Sequence, residues 1–194
     1  MEDSKILDLY WERKEAAILE TDRKYRDYCM HIAINILSSY EDSEECVNDT
    51  WLKAWDLIPP ARPANLKAWL GKITRNLSLD RYFYNSAKKR GAGQIPLVLE
   101  ELKDLQISGT AGSTPPQGQP ELAAEAMVVN EVLNHFLGSL KTENRVIFMR
   151  RYWYLDSIRD IAEALKISES KVKVSLFRSR KKLRQILQEE GVWK

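Results

Sequence analysis

Cysteine and histidine are scarce, with two of each among 194 residues. Cys29 and Cys46 are too few for a disulfide framework, and a reduced, cytoplasmic setting is the natural expectation. A single bridge between them stays open. His31 and His135 fall in separate parts of the chain. No HExxH, Cys-x-x-Cys or phosphate-binding loop occurs, and Cys29-Met30-His31 lacks metal-ligand spacing. The acidic pair Glu44-Glu45 has no basic track beside it, as a nuclease site would need. The expectation is a protein that is not an enzyme, with no catalytic residues, no metal and no cofactor. Long apolar runs are missing too. None approaches the roughly 20 residues that span a bilayer, so no membrane insertion is expected. Met1-Glu2-Asp3-Ser4-Lys5 is charged and leads into no signal-peptide core. Alternating strand patterns are absent.

Charge, by contrast, is abundant. Lys and Arg number 30 and Asp and Glu 28, for a formal net charge of +2. The balance hides four blocks. Residues 1–65 carry 8 basic and 14 acidic side chains, 66–90 carry 7 and 1, 91–144 carry 2 and 7, and 145–194 carry 13 and 6. Two basic blocks separated by acidic ones predict two surfaces for a polyanion and others for a different partner.

The segment 91–120 is rich in Gly, Pro, Ser, Thr and Gln, and Pro115-Pro116 forbids a helix there. It reads as a flexible linker, about 30 Å end to end as a coil and about 100 Å fully extended. Only 96–105 has a transient helical pattern. The rest reads as all-α, two small helical domains over 1–90 and 121–194. Tyr25, Tyr28, Ile32 and Ile36 form a helical stripe. Asp42 with Glu45 resembles a capping box for a helix carrying Cys46, Val47, Trp51, Leu52 and Trp55. Pro59, Pro60 and Pro63 force a loop, and Asn65 is placed to cap a helix over 66–90 with Leu66, Trp69, Leu70, Ile73 and Leu77 inward. Thr142, Ser157 and Ser168 are placed to cap the later helices, with helices over 158–165 and from 169 to about 188.

The stretch 160–180, DIAEALKISESKVKVSLFRSR, has the layout of a helix-turn-helix. Ser170, Lys171, Lys173, Val174, Ser175, Phe177 and Arg178 lie on its second helix, where side chains reach base edges. Arg180, Lys181, Lys182 and Arg184 continue the charge and suit phosphates. The other basic block holds Lys67, Lys72, Arg75, Arg81, Lys88, Lys89 and Arg90, and Lys72 and Arg75 with Asn76 sit at neighbouring helical positions that form an outward stripe. Trp69 fits either a stacked base or the core. Of Tyr82, Phe83 and Tyr84, at least one must face outward.

YEDSEECVNDTWLKAWDLIPPARPANLKAWLGKITRNLSLDRYF resembles region two of bacterial RNA polymerase sigma factors of the extracytoplasmic-function (ECF) group, and LKTENRVIFMRRYWYLDSIRDIAEALKISESKVKVSLFRSRKKLR resembles their region four. The resemblance implies promoter-specific transcription initiation. Region two would bind the coiled coil of the polymerase β′ clamp through Asp49, Trp51, Leu52 and Trp55. It would read and melt the −10 element with Lys67, Lys72, Arg75 and Asn76, and capture a flipped base with the loop holding Ala61, Arg62 and Asn65. Region four would hold the −35 element and the β flap. The implied partners are core polymerase, promoter DNA and an anti-sigma factor. Three departures stand out. Leu140-Lys141 replaces the usual Leu-Pro, the run from Tyr154 to Arg159 lacks the usual Gly and Tyr, and Ser175 stands where Arg is common.

Two other classes compete. A dimeric regulator needs one reading head per subunit, whereas this chain carries two unlike basic heads. A helical adaptor that touches no DNA leaves the basic blocks unexplained.

Overall fold

A computed structural model describes residues 1–86, 94–103 and 120–190. Among them the chain forms nine α-helices and no strand. The helices fall into two compact units, Met1–Gly93 and Gln94–Lys194.

The first unit holds α1 (Asp3–Trp11), α2 (Ala16–Leu37), α3 (Tyr40–Leu57) and α4 (Leu66–Ser86), with α2, α3 and α4 mutually packed and α1 against α2. The cap of α3 lies three residues before the expected one. Ser39 is the N-cap, accepting the Asp42 amide at 3.3 Å. Asp42 and Glu45 instead face Arg81 of α4, at 3.7 and 2.5 Å. The end of α3 fits the two prolines that follow Ile58, which have no amide to continue the ladder. Asn65 caps α4 as expected, its Oδ1 accepting the Ala68 amide at 2.9 Å. The core joins Ile6, Tyr10, Tyr25, Cys29, Val47, Trp51, Ile58, Leu66 and Leu70. Both cysteines are free and buried. Burial pushes the Cys29 thiol up to about 11.

The inward face of α4 is rotated from the expected stripe. Leu66, Leu70, Thr74 and Ser78 are buried, while Ile73 and Leu77 are only half-buried. Small hydroxyls close this face. Thr74 Oγ1 donates to the Leu70 carbonyl at 3.0 Å and lies 3.1 Å from Thr50 Oγ1. Gly71 allows the close approach, because a Cβ there would stand 2.4 Å from the Tyr28 hydroxyl oxygen. Gly71→Ala is therefore expected to cost about 1–3 kcal/mol by overpacking. A lowered urea midpoint would register it, with partial recovery in a Tyr28→Phe background. An unchanged midpoint would mean that Tyr28 swings aside freely.

The second unit holds α5 (Gln94–Lys103), α6 (Pro120–Ser139), α7 (Thr142–Tyr152), α8 (Ile158–Leu165) and α9 (Glu169–Glu189). Helix α5 corrects the flexible-linker reading at 94–103. Ile95 and Val98 are buried, Leu102 packs on the cluster of Val132, Phe136, Phe148 and Leu183, and Glu101 is hydrogen-bonded to α7 and α9. Residues 91–93 and 104–119 of the expected linker, and the end of the expected 66–90 helix with Lys88, Lys89 and Arg90, lie outside the described residues. A second cluster, Ile147, Ile161, Ala162, Val172 and Leu176, seats α8 and α9 on α7.

Thr142 is the first residue of α7 rather than its cap. Lys141 is the N-cap, with no side-chain capping bond. Its φ of −58° is the value a proline ring would fix, which explains how lysine stands there without distortion. Leu155 has φ 58°, the left-handed region that favours glycine. Its side chain is 2% exposed, and burying a leucine offsets strain of that size. The turn follows expectation. Ser157 and Asp160 form a capping box, Lys166 takes the left-handed conformation, and Ser168 accepts the Lys171 amide at 3.2 Å.

Candidate nucleic-acid interfaces

On α9 the side chains of Ser170, Lys171, Lys173, Val174, Phe177, Arg178, Lys181 and Lys182 are exposed. Positions 170, 173, 174, 177 and 181 recur at helical spacing and form one ridge. Lys171 pairs with Glu143 at 2.5 Å and Lys173 with Glu169 at 3.7 Å. Such exposed pairs are worth little and yield readily to a phosphate. Lys182 donates to the Ser139 carbonyl at 3.1 Å.

Two α9 residues leave the expected surface. Ser175 is 8% exposed, and its Oγ is hydrogen-bonded to Asn144 Oδ1 at 2.9 Å. It faces α7, not a DNA groove, because it lies beside Val172 and Leu176 on the inner side. Arg180 likewise turns inward, donating to Tyr152 Oη at 2.8 Å and to Glu101 at 3.2 Å.

On α4 Lys67 and Lys72 are exposed and Asn76 is half-buried. Arg75 is 8% exposed and corrects the outward stripe. The rotation of α4 about Gly71 carries it inward, and burial lowers its pKa from the usual guanidinium value. Arg81 is committed to α3. Lys67 rests over the Tyr28 ring at 4.7 Å. Trp69 packs partly buried against the core, whereas Phe83 and Tyr84 are exposed and Tyr82 half-buried.

In the loop between α3 and α4, Ala61 is half-buried and its amide donates to the Leu57 carbonyl at 2.9 Å. Asn65 is exposed but spent on its cap. Arg62 projects outward to Asp8 Oδ1 at 2.7 Å and lies over the Trp11 ring at 5.9 Å. On α3 Leu52 is 59% exposed and Asp49 and Trp55 are half-buried. Trp51 is 4% exposed and leaves the expected partner-binding face. Its Nε1 donates to Asp22 Oδ1 at 3.0 Å inside the α2–α3 seam.

Asp8, Trp11, Tyr28 and Glu101 were not singled out as site residues by sequence. By spacing, Trp11 reads with Leu7 and Tyr10 as one apolar pattern, but Tyr10 is fully buried while the adjacent Trp11 is 43% exposed. Among the described residues, no helix is long and apolar enough to cross a membrane.

The family model described as Sigma-70 region 2 matches residues 22–87, and the one described as Sigma-70, region 4 matches residues 131–183. The chain is 28% identical over 169 residues to the ECF RNA polymerase sigma factor SigL of Mycobacterium tuberculosis, covering 82% of each chain. It is 27% identical to the probable RNA polymerase sigma factor RfaY of Xanthomonas campestris pv. campestris, over 79% of this chain and 36% of that one. It is also similar to a solved structure of the sigma factor RpoE in complex with the anti-sigma factor NepR from Bartonella quintana, at 22% identity and a TM-score of 0.30, over 87% of this chain and 98% of that one. Two sigma-region matches in the order 2 then 4, joined to an exposed basic ridge behind a capped turn, make this chain a promoter-recognising RNA polymerase sigma factor of the ECF group.

Proposed function

We propose that the two units divide one promoter between them, residues 1–90 working at the −10 element and residues 121–194, with α5 docked on them, at the −35 element. Lys67, Lys72 and Asn76 of α4, with Ala61, Arg62 and Asn65 of the loop, engage the −10 strand. Asp49, Leu52 and the exposed part of Trp55 meet the polymerase β′ clamp. Ser170, Lys171, Lys173, Val174, Phe177 and Arg178 enter the major groove at −35, Lys181 and Lys182 contact phosphates, and the same unit meets the β flap. The protein acts by binding alone, in the cytoplasm, and an anti-sigma factor holds it until a stimulus. Melting follows from differential affinity: a single strand held on protein is favoured over the duplex without any covalent step.

The observation that carries this reading is the presence of exposed basic side chains on one helix of each unit. Exposed Lys67 and Lys72 lie on α4 and the ridge from Ser170 to Lys181 lies on α9. A lone-acting regulator would instead bind duplex tightly by itself. The test is in-vitro transcription with core polymerase and a promoter library, with start-site sequencing. Defined starts are expected only when the chain is added. Tight duplex binding without core would favour the regulator. The double change Lys72→Ala, Asn76→Ala is expected to lower open-complex formation about tenfold while core binding holds. Equal loss of both would refute the assignment.

A further inference from the structure

We propose that Trp11 is a stacking platform for an unpaired base of the −10 strand, with Arg62 as its phosphate clamp and Asp8 as the group that holds the clamp when no strand is present. This rests on the reading that the 61–65 loop engages single-stranded DNA. Trp11 lies outside the matched region 2, which begins at residue 22.

Asp8 and Trp11 stand three residues apart on α1 and so share a face. Both meet Arg62, the carboxylate at 2.7 Å and the indole centroid at 5.9 Å. The loop that presents Arg62 is anchored at both ends. Ile58 and Leu66 are buried, Ala61 is tied to Leu57, and Asn65 caps α4. The ring is not needed to fill the core, since Trp11 is 43% exposed where the neighbouring Tyr10 is fully buried. The ion pair is open to water as well, with both side chains 54% exposed, so it holds Arg62 only weakly. At the far end of the loop the pattern repeats, with Lys67 over Tyr28 at 4.7 Å.

A cation resting on an aromatic face matches a single strand, which offers a phosphate and a π-face at every nucleotide. A phosphate is the stronger partner for a guanidinium, because it accepts two parallel charge-assisted bonds. Arg62 then leaves Asp8 for the phosphate, and the base takes the uncovered indole face. A paired duplex keeps its bases stacked and cannot make this exchange. The site therefore discriminates by strand state.

The test uses holoenzyme assembled from core polymerase and the full chain, with a fluorescent single-stranded oligodeoxynucleotide carrying the mapped −10 sequence. Trp11→Leu keeps apolar bulk and removes the π-face. It is expected to weaken strand binding about tenfold, with Trp11→Phe within about threefold of wild type. Asp8→Asn is expected to tighten binding several-fold at low salt, because Arg62 is released. Binding to an unmelted duplex oligonucleotide should not change in any variant. Strand affinity unchanged in Trp11→Leu would overturn the proposal. So would a parallel loss of core association or of thermal stability, which would make Trp11 a polymerase contact or a packing residue. If wild-type holoenzyme itself fails to hold the strand, the reading of the loop fails first. If only the variants behave alike, that reading stands and the platform alone is lost.

Discussion

Glu101→Ala is expected to lower the unfolding free energy of the second unit by about 3 kcal/mol. The Glu101 carboxylate accepts from Arg151 Nε at 3.1 Å and Nη2 at 2.6 Å, from Tyr152 Oη at 2.8 Å and from Arg180 Nη1 at 3.2 Å. Arg151 is 2% exposed and also donates to the Asp156 carbonyl at 2.9 Å. Truncating one member of a buried pair leaves the other charge desolvated, at a cost of roughly 3–5 kcal/mol. The Glu101 side chain is 22% exposed, which puts the value at the low end. Glu101→Gln keeps the shape and one acceptor, so about half the loss is expected. Urea-dependent amide exchange in the full chain separates the units: protection in α7 and α9 should fall while α2 and α3 are unaffected. A double-mutant cycle with Arg151→Met should return most of the loss, since an apolar replacement of similar volume removes the buried charge that Glu101 faces. A change below about 0.5 kcal/mol would mean that α5 does not dock in solution.

This prediction could not have been written from the sequence. Glu101 lies 50 residues from Arg151 and 79 from Arg180, and no local pattern announces a pairing at that distance. What the sequence does announce is local chemistry. Ser157 with Asp160 and Ser168 before the last helix fixed the limits of α8 and the start of α9, because a cap is satisfied within one turn. Asn65 fixed the start of α4 in the same way.

Helix faces were less legible where small polar residues close the core. An apolar stripe counts Ile73 and Leu77 but not Gly71, Thr74 or Ser78. The latter three line the buried side of α4, two of them as hydroxyl residues and one as the gap that Tyr28 needs. That misjudged rotation put Arg75 outside. Trp51 misled for the opposite reason. Its neighbours Val47 and Ala54 are buried with it, so its family-derived role on a partner face conflicts with its place on the helix.

Ser175 sharpens the same lesson on α9 and leads to the second large effect. Lys173→Ala with Arg178→Ala is expected to reduce protection of the −35 region by holoenzyme about 100-fold, from two groove or phosphate contacts worth about 1–1.5 kcal/mol each. The slope of affinity against salt should fall by up to about two charges. Ser175→Ala is the control. Its hydroxyl binds Asn144 inside the unit, so it should cost about 1 kcal/mol of stability and leave the salt slope unchanged. Footprinting at two salt concentrations separates the pair from the control. Unchanged protection in the double variant would remove the ridge from the −35 site, and a Ser175→Ala effect on salt slope equal to that of the lysine and arginine would restore the serine to the groove. The contrast follows from one turn of helix. Lys173 and Arg178 point away from Val172 and Leu176, and Ser175 points with them. Charge that cannot be buried is left facing water, and a polyanion is the partner that best repays its desolvation.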